Sequence, residues 1–164
     1  MIHLKKIWAG MLLLLIAMPL GCKSQQAQNE GNAPGLEPEI ISEGAYCRID
    51  QAGHYFIEDQ QSWQDLWERM HEGRIPQPEL PPVDFGEAVV VAFFMGEKSS
   101  GGYGIELAEA RLQGELLKLD LIYREPSSNC AATMAMTQPF LIVKFTQPGI
   151  ERIEFDTRQE ETEC

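Results

Sequence analysis

The chain has 164 residues, 44% of them hydrophobic, and its 25 acidic residues outnumber its 13 lysines and arginines to leave a net charge of −12 at pH 7. That surplus excludes recognition of phosphate backbones, which rests on clustered Lys and Arg, so no nucleic acid is expected as a partner. The length suits one domain with a real core rather than two.

Lys5 and Lys6 precede an uncharged apolar run over residues 7–20, and the small Gly21 stands before Cys22. This is the order of a secretory signal. The run is shorter than the ~20 apolar residues of a comfortable bilayer span, and nothing later reads as a stop-transfer segment, so residues 1–21 are expected to be cleaved. The ending Pro19-Leu20-Gly21-Cys22 resembles the lipobox of bacterial lipoproteins, with Pro19 where that pattern prefers Leu. The resemblance implies that Cys22 carries a thioether-linked diacylglycerol and an acylated amino group, palmitate being the expected chain. The membrane is then contacted through this lipid anchor, and Lys23 directly after the cysteine favours the outer membrane of the cell envelope, its periplasmic face or surface left open. Cleavage takes away two lysines and no acids, which moves the net charge from −12 to −14.

Residues 22–42 read as a lipid-anchored tether, because 23–40 are dominated by Ser, Gln, Asn, Gly, Pro and Glu and offer too little apolar surface to order themselves. A coil of this length spans roughly 25 Å. A single β-rich domain is expected over 43–157, with an acidic tail at 158–164. Ala45, Cys47 and Ile49 alternate with Tyr46, Arg48 and Asp50, and a turn at Ala52-Gly53 leads into Tyr55-Phe56-Ile57, which predicts two short strands. Asp59 is placed to cap a helix whose Trp63, Leu66, Trp67 and Met70 recur at helical spacing before Gly73 ends it. The prolines at 76, 78, 81 and 82 predict an extended connector.

The nearly unbroken apolar run 88–95 predicts a central strand. Tyr103, Ile105 and Leu107, then Gln113-Gly114, then Leu117, Leu119, Leu121 and Tyr123 predict a hairpin. Further strands are predicted at 132–137, 140–145 and 150–155, with Ala132, Met134 and Met136 as a core stripe. Together these give a mainly β fold with one amphipathic helix (α+β), its sheets antiparallel and arranged as a sandwich or a partly closed barrel.

No enzymatic template is met. The mature histidines are His54 and His71, H-E-x-x-H and C-x-x-C are missing, and no metal or cofactor is expected. The segment 96–102 has the look of a phosphate loop, but Gly101-Gly102-Tyr103 stands where such a loop needs Gly-Lys-Ser/Thr leading into a helix. Ser99 and Ser100 lack the G-x-S-x-G or S-x-x-K context of a nucleophile. The loop of Ser99, Ser100, Gly101, Gly102 and Tyr103 reads either as a glycine-rich structural turn joining two strands or as a protein-binding surface, the latter because two glycines let a backbone approach closely and the tyrosine offers a rigid amphipathic contact. With Cys22 consumed by lipid and Cys164 at the chain end, an oxidising compartment predicts a Cys47–Cys130 disulfide that leaves Cys164 free, the alternatives being two buried free thiols or pairing through Cys164.

The stretch VVVAFFMGEKSSGGYGIEL, followed by Glu125-Pro126 and by Pro139-Phe140-Leu141-Ile142-Val143-Lys144, resembles the C-terminal domain of the protease-complex subunit PrcB family. That family is named for a lipoprotein that associates with and stabilises a surface serine protease. The resemblance therefore implies a non-enzymatic, protein-binding or assembly lipoprotein with an envelope protein as partner, a protease among the candidates, and no catalytic residues. Two alternatives stand beside it: a hydrolase of unknown type, and a protease inhibitor. The second follows from a distant similarity of Gly101-Gly102-Tyr103 to the Thr-Thr-Gly-Tyr loop of chagasin-like inhibitors, with Ile105 in place of their next aromatic.

Overall fold

The computed structural model of the chain describes Leu36 and residues 38–162. Cys22, the signal segment, most of the tether and Cys164 lie outside the described residues.

The fold is organised by β3 (Val89–Met95), all of whose residues are buried. A strand with no polar face needs cover on both sides. Within its sheet it pairs antiparallel with β6 (Phe140–Phe145) and with β2 (Ala52–Ile57), and β1 (Pro38–Gly44) joins the far side of β6. Alternate residues then point to opposite layers. Val91, Phe93 and Met95, with Leu141, Val143 and Phe145, meet Ile105, Leu117, Leu119 and Leu121 of a second sheet ordered β4 (Gly104–Gln113), β5 (Leu116–Pro126), β7 (Arg152–Thr162). Val90, Ala92 and Phe94, with Phe140 and Ile142, meet the helix α1 (Gln60–Met70). The result is helix, sheet, sheet: an α+β, sandwich-like arrangement.

Helix α1 starts at the cap that the sequence predicts. Asp59 Oδ1 accepts the Ser62 N–H at 2.9 Å, and this bond with that of the Ser62 hydroxyl holds the Asp59 carboxyl below its ordinary pKa. The buried stripe is Trp63, Leu66, Trp67 and Met70. Both indole N–H groups leave this apolar layer satisfied, Trp63 Nε1 donating to Pro81 O at 2.9 Å and Trp67 Nε1 to Pro78 O at 3.1 Å. The proline connector is thereby fastened across the helix, and its Leu80, Val83 and Phe85 pack on the same cluster.

Several expectations change. Residues 38–42, expected as the end of the tether, belong to β1; Ile41 packs on the helix-side cluster while Ile40 is 52% exposed, and the strand is placed by its ladder to β6, a signal that apolar periodicity does not carry. Residues 45–50 bury Cys47 and Ile49 as their alternation implies, yet form no strand. Their backbone bonds run instead to separate places, Arg48 N to Met70 O and Gln138 N to Ala45 O. Residues 132–137 are a loop carrying one isolated bridge, Lys98 to Thr137, and Met134 and Met136 are 100% and 53% exposed rather than core.

β7 lies parallel to β5, not antiparallel, and runs on through Thr162 into the expected polar tail. Its direction is set at its start, where Glu151 N and Arg152 N both donate to Glu115 O in the β4–β5 turn, so β7 begins beside the beginning of β5.

The Cys47–Cys130 disulfide is also corrected. Cys47 is a free thiol, buried on the helix side with Sγ donating to Gln138 O at 3.4 Å, and burial pushes its pKa up. The sulfur of Cys130 lies 3.2 Å from Thr162 O, by the end of β7 in the other sheet, and has bonding of its own. Residue alternation thus carried Cys47 into the wrong layer for that pairing.

The layering can be checked in two ways. Phe93→Ala, which empties the layer between the sheets, should cost about 3–5 kcal/mol in denaturant unfolding. Peptide mapping of denatured, unreduced protein should recover Cys47 as a free thiol, slow to alkylate while the chain is folded; a Cys47–Cys130 linked peptide would contradict the arrangement.

Candidate functional site

Beyond β3 the chain enters the glycine-rich segment, and its first glycine is fixed by close approach. Gly96 has φ 69°, and a Cβ there would sit 2.7 Å from Ala52 N and 2.9 Å from Asp50 O. From this point the loop is laced to the segment 127–139. Lys98 and Thr137 exchange backbone bonds of 2.8 and 2.9 Å, Gly101 N donates to Thr133 O at 2.9 Å, and the buried Thr137 hydroxyl donates to Ser100 O at 2.7 Å. The glycines face this chain. A Cβ on Gly101 would fall on Thr133 Oγ1, and one on Gly102, at φ 91°, would lie 2.8 Å from Pro126 Cβ.

Tyr103 is half-buried against the core between the sheets, and Lys98 Nζ stands 5.2 Å from its ring centroid. Ser99 is exposed, while the Ser100 hydroxyl donates to Gly101 O. So the five residues expected to meet a partner are brought together, but as an internally bonded element. Its glycines serve the fit against Thr133 and Pro126, and Ser99 with the outer part of Tyr103 faces outward. Sequence reasoning missed the other half of this surface: the partner loop presents Met134 and Met136, and Tyr46 nearby is 55% exposed. A clue was present in the sequence, since Ser127, Ser128 and Asn129 before the methionines are turn-forming residues.

The two described histidines make packing contacts. His71 is buried at the helix end, where its Nδ1–H faces Trp67 O at 2.8 Å, and burial lowers its pKa. His54 packs edge-on against Phe155, ring centroids 4.7 Å apart. Among the described residues no group of three or more His, Cys, Asp or Glu is placed to hold a metal ion, and no helix is long and apolar enough to cross a membrane.

With this geometry in view, comparison with known proteins is informative at one place. Residues 89–146 match the family model described as PrcB C-terminal, so the resemblance read from the sequence holds over that segment. The match runs from β3 through the laced loop and the β4–β5 hairpin to the end of β6, about a third of the chain. No curated protein and no solved structure shows a significant match.

The lacing predicts a specific coupling. Gly101→Ala should destabilise by roughly 1–3 kcal/mol through overpacking, and adding Thr133→Ala, which removes the obstructing oxygen, should restore much of the loss in a double-mutant cycle. Additive losses would show that the two loops do not touch as described. Burial at the helix end also makes stability depend on pH. The unfolded chain protonates His71 near the ordinary histidine pKa of about 6.5 while the folded chain resists it, so stability should fall as pH drops below that value. His71→Gln should flatten this slope in pH-dependent thermal melts.

Proposed function

We propose that the protein is a non-enzymatic envelope lipoprotein, anchored through Cys22, whose β-rich domain binds another envelope protein with the surface made by Ser99, Tyr103 and the methionine loop. The carrying observation is the match of residues 89–146 to the PrcB C-terminal family, because the segment it spans contains both laced loops. The family name associates such domains with a protease complex, which makes a protease the first partner to seek. Exposed methionines support a protein-binding reading: an unbranched thioether side chain adapts to a partner's contours, and Met134 is fully exposed where a monomer gains nothing from it. The tether would lift this surface away from the headgroups, and the net negative charge would discourage adsorption to anionic lipid.

Site-specific photo-crosslinking in native envelopes tests the surface. A crosslinker at Ser99 or Met134 should trap one envelope protein, whereas a crosslinker at Glu109, which is ion-paired to Arg111 on the second sheet, should not. Equal trapping from all three positions, or none, would count against the assignment. Mass spectrometry of the mature N-terminus should find a diacylglyceryl, acylated Cys22; an unmodified terminus elsewhere would remove the anchor from the proposal.

A further inference from the structure

Beside the methionine loop lies a pocket of about 320 Å³ lined by Tyr46, Cys47, Arg48, Arg74, Met136 and Gln138. Two of its groups are cationic in a chain whose net charge is −12. On the second sheet Arg111 pairs with Glu109 and Asp120, Arg124 with Glu106 and Glu160, and Arg158 with Glu160, whereas Arg69 on the helix lies over the Tyr55 ring. Among the described residues Arg48 and Arg74 have no such ion pair. Each is held by a backbone carbonyl instead, Arg48 Nε donating to Glu72 O at 3.3 Å and Arg74 Nη2 to Tyr46 O at 2.7 Å. These bonds orient the guanidinium groups while leaving further N–H donors on each. The nearby carboxylate of Asp50 is engaged by Gln138 Nε2 at 3.4 Å.

The lining also includes two large exposed side chains, Tyr46 at 55% and Met136 at 53%. We infer that this pocket receives the free C-terminus of a partner polypeptide ending in an apolar residue, the carboxylate at Arg48 and Arg74 and the last side chain against Tyr46 and Met136. A guanidinium group matches a carboxylate by charge and by planar geometry, and the pocket lining contributes two. A terminal residue carries its carboxylate and its side chain on one Cα, so a single small pocket lined by both arginines and by Tyr46 and Met136 offers chemistry for each. The charge of the domain selects against alternatives: an acid-rich segment or an anionic lipid surface would be repelled as a whole, whereas a single carboxylate on an apolar end is not. This rests on the protein-binding reading above and adds the chemistry that the partner must present.

The test uses the full mature chain in detergent and a short peptide, Gly-Ser-Gly-Leu, bearing a neutral fluorophore at its N-terminus, as the free acid and as the C-terminal amide. Fluorescence anisotropy should show the acid binding at least about tenfold more tightly than the amide. Arg48→Gln with Arg74→Gln should erase that preference with little change in thermal midpoint, and Met136→Ala should weaken both peptides. Equal binding of acid and amide, binding of neither, or an undiminished preference in the double variant would overturn the inference. So would an amidated peptide with an internal glutamate that matches the free acid, or displacement of the peptide by phosphatidylglycerol in mixed micelles with the same detergent. The two readings fail separately. Trapping from Met134 that persists without any acid preference would refute the pocket assignment alone; an acid preference that Arg48 and Arg74 confer, with no envelope protein trapped, would refute the proposed function alone.

Discussion

Everything in this fold depends on the burial of β3 from both sides. Seven consecutive residues, Val89–Met95, have no polar side chain with which to meet water, so one layer cannot satisfy them. A sheet backed by a helix alone would leave Val91 and Phe93 wet, and a simple two-sheet sandwich would expose Val90 and Phe94. The three-layer order answers both needs, and every other element takes its place relative to this strand. The helix lies on one face through Trp63 and Trp67, and the hairpin lies on the other through Leu117, Leu119 and Leu121.

The same strand positions the candidate surface. Its C-terminal end is pinned at Gly96, so the chain that follows leaves a rigid edge at a defined point. The two loops then stabilise each other by backbone bonds rather than by apolar contact, which is how a segment with little core of its own keeps one shape. Large apolar side chains on it are thereby free to point outward. Met134 and Met136 need not serve the core because Thr137, buried and bonded to Ser100, holds their loop in place.

The arginines are held in two different ways. On the second sheet, acids and bases are interleaved in cross-strand pairs, as at Arg124 with Glu106 and Glu160, and such exposed pairs contribute little to stability while keeping a long strand edge soluble. Near the helix end, Arg48 and Arg74 bond to carbonyl oxygens instead. A carbonyl orients a guanidinium without neutralising it, so a strongly acidic protein retains a small cationic site.

Much of the architecture was legible along the chain. The capped helix with its tryptophan face, the central apolar strand and the hairpin turning at Gly114 each follow from signals spanning a few residues: a cap, a hydrophobic period, a turn residue. The match of residues 89–146 to the PrcB C-terminal family was visible in local motifs for the same reason. Tertiary structure alone decided the rest. Alternation at 45–50 reported burial faithfully but could not say that Arg48 N would bond to the helix end instead of to a neighbouring strand. It could not say that Cys47 would lie on the helix side while Cys130 lies by the end of β7, that β7 would run parallel to β5, or that the methionines at 134 and 136 would face water. These depend on where distant backbone donors find acceptors, and hydrogen bonding between segments far apart in sequence leaves no periodic trace in either of them.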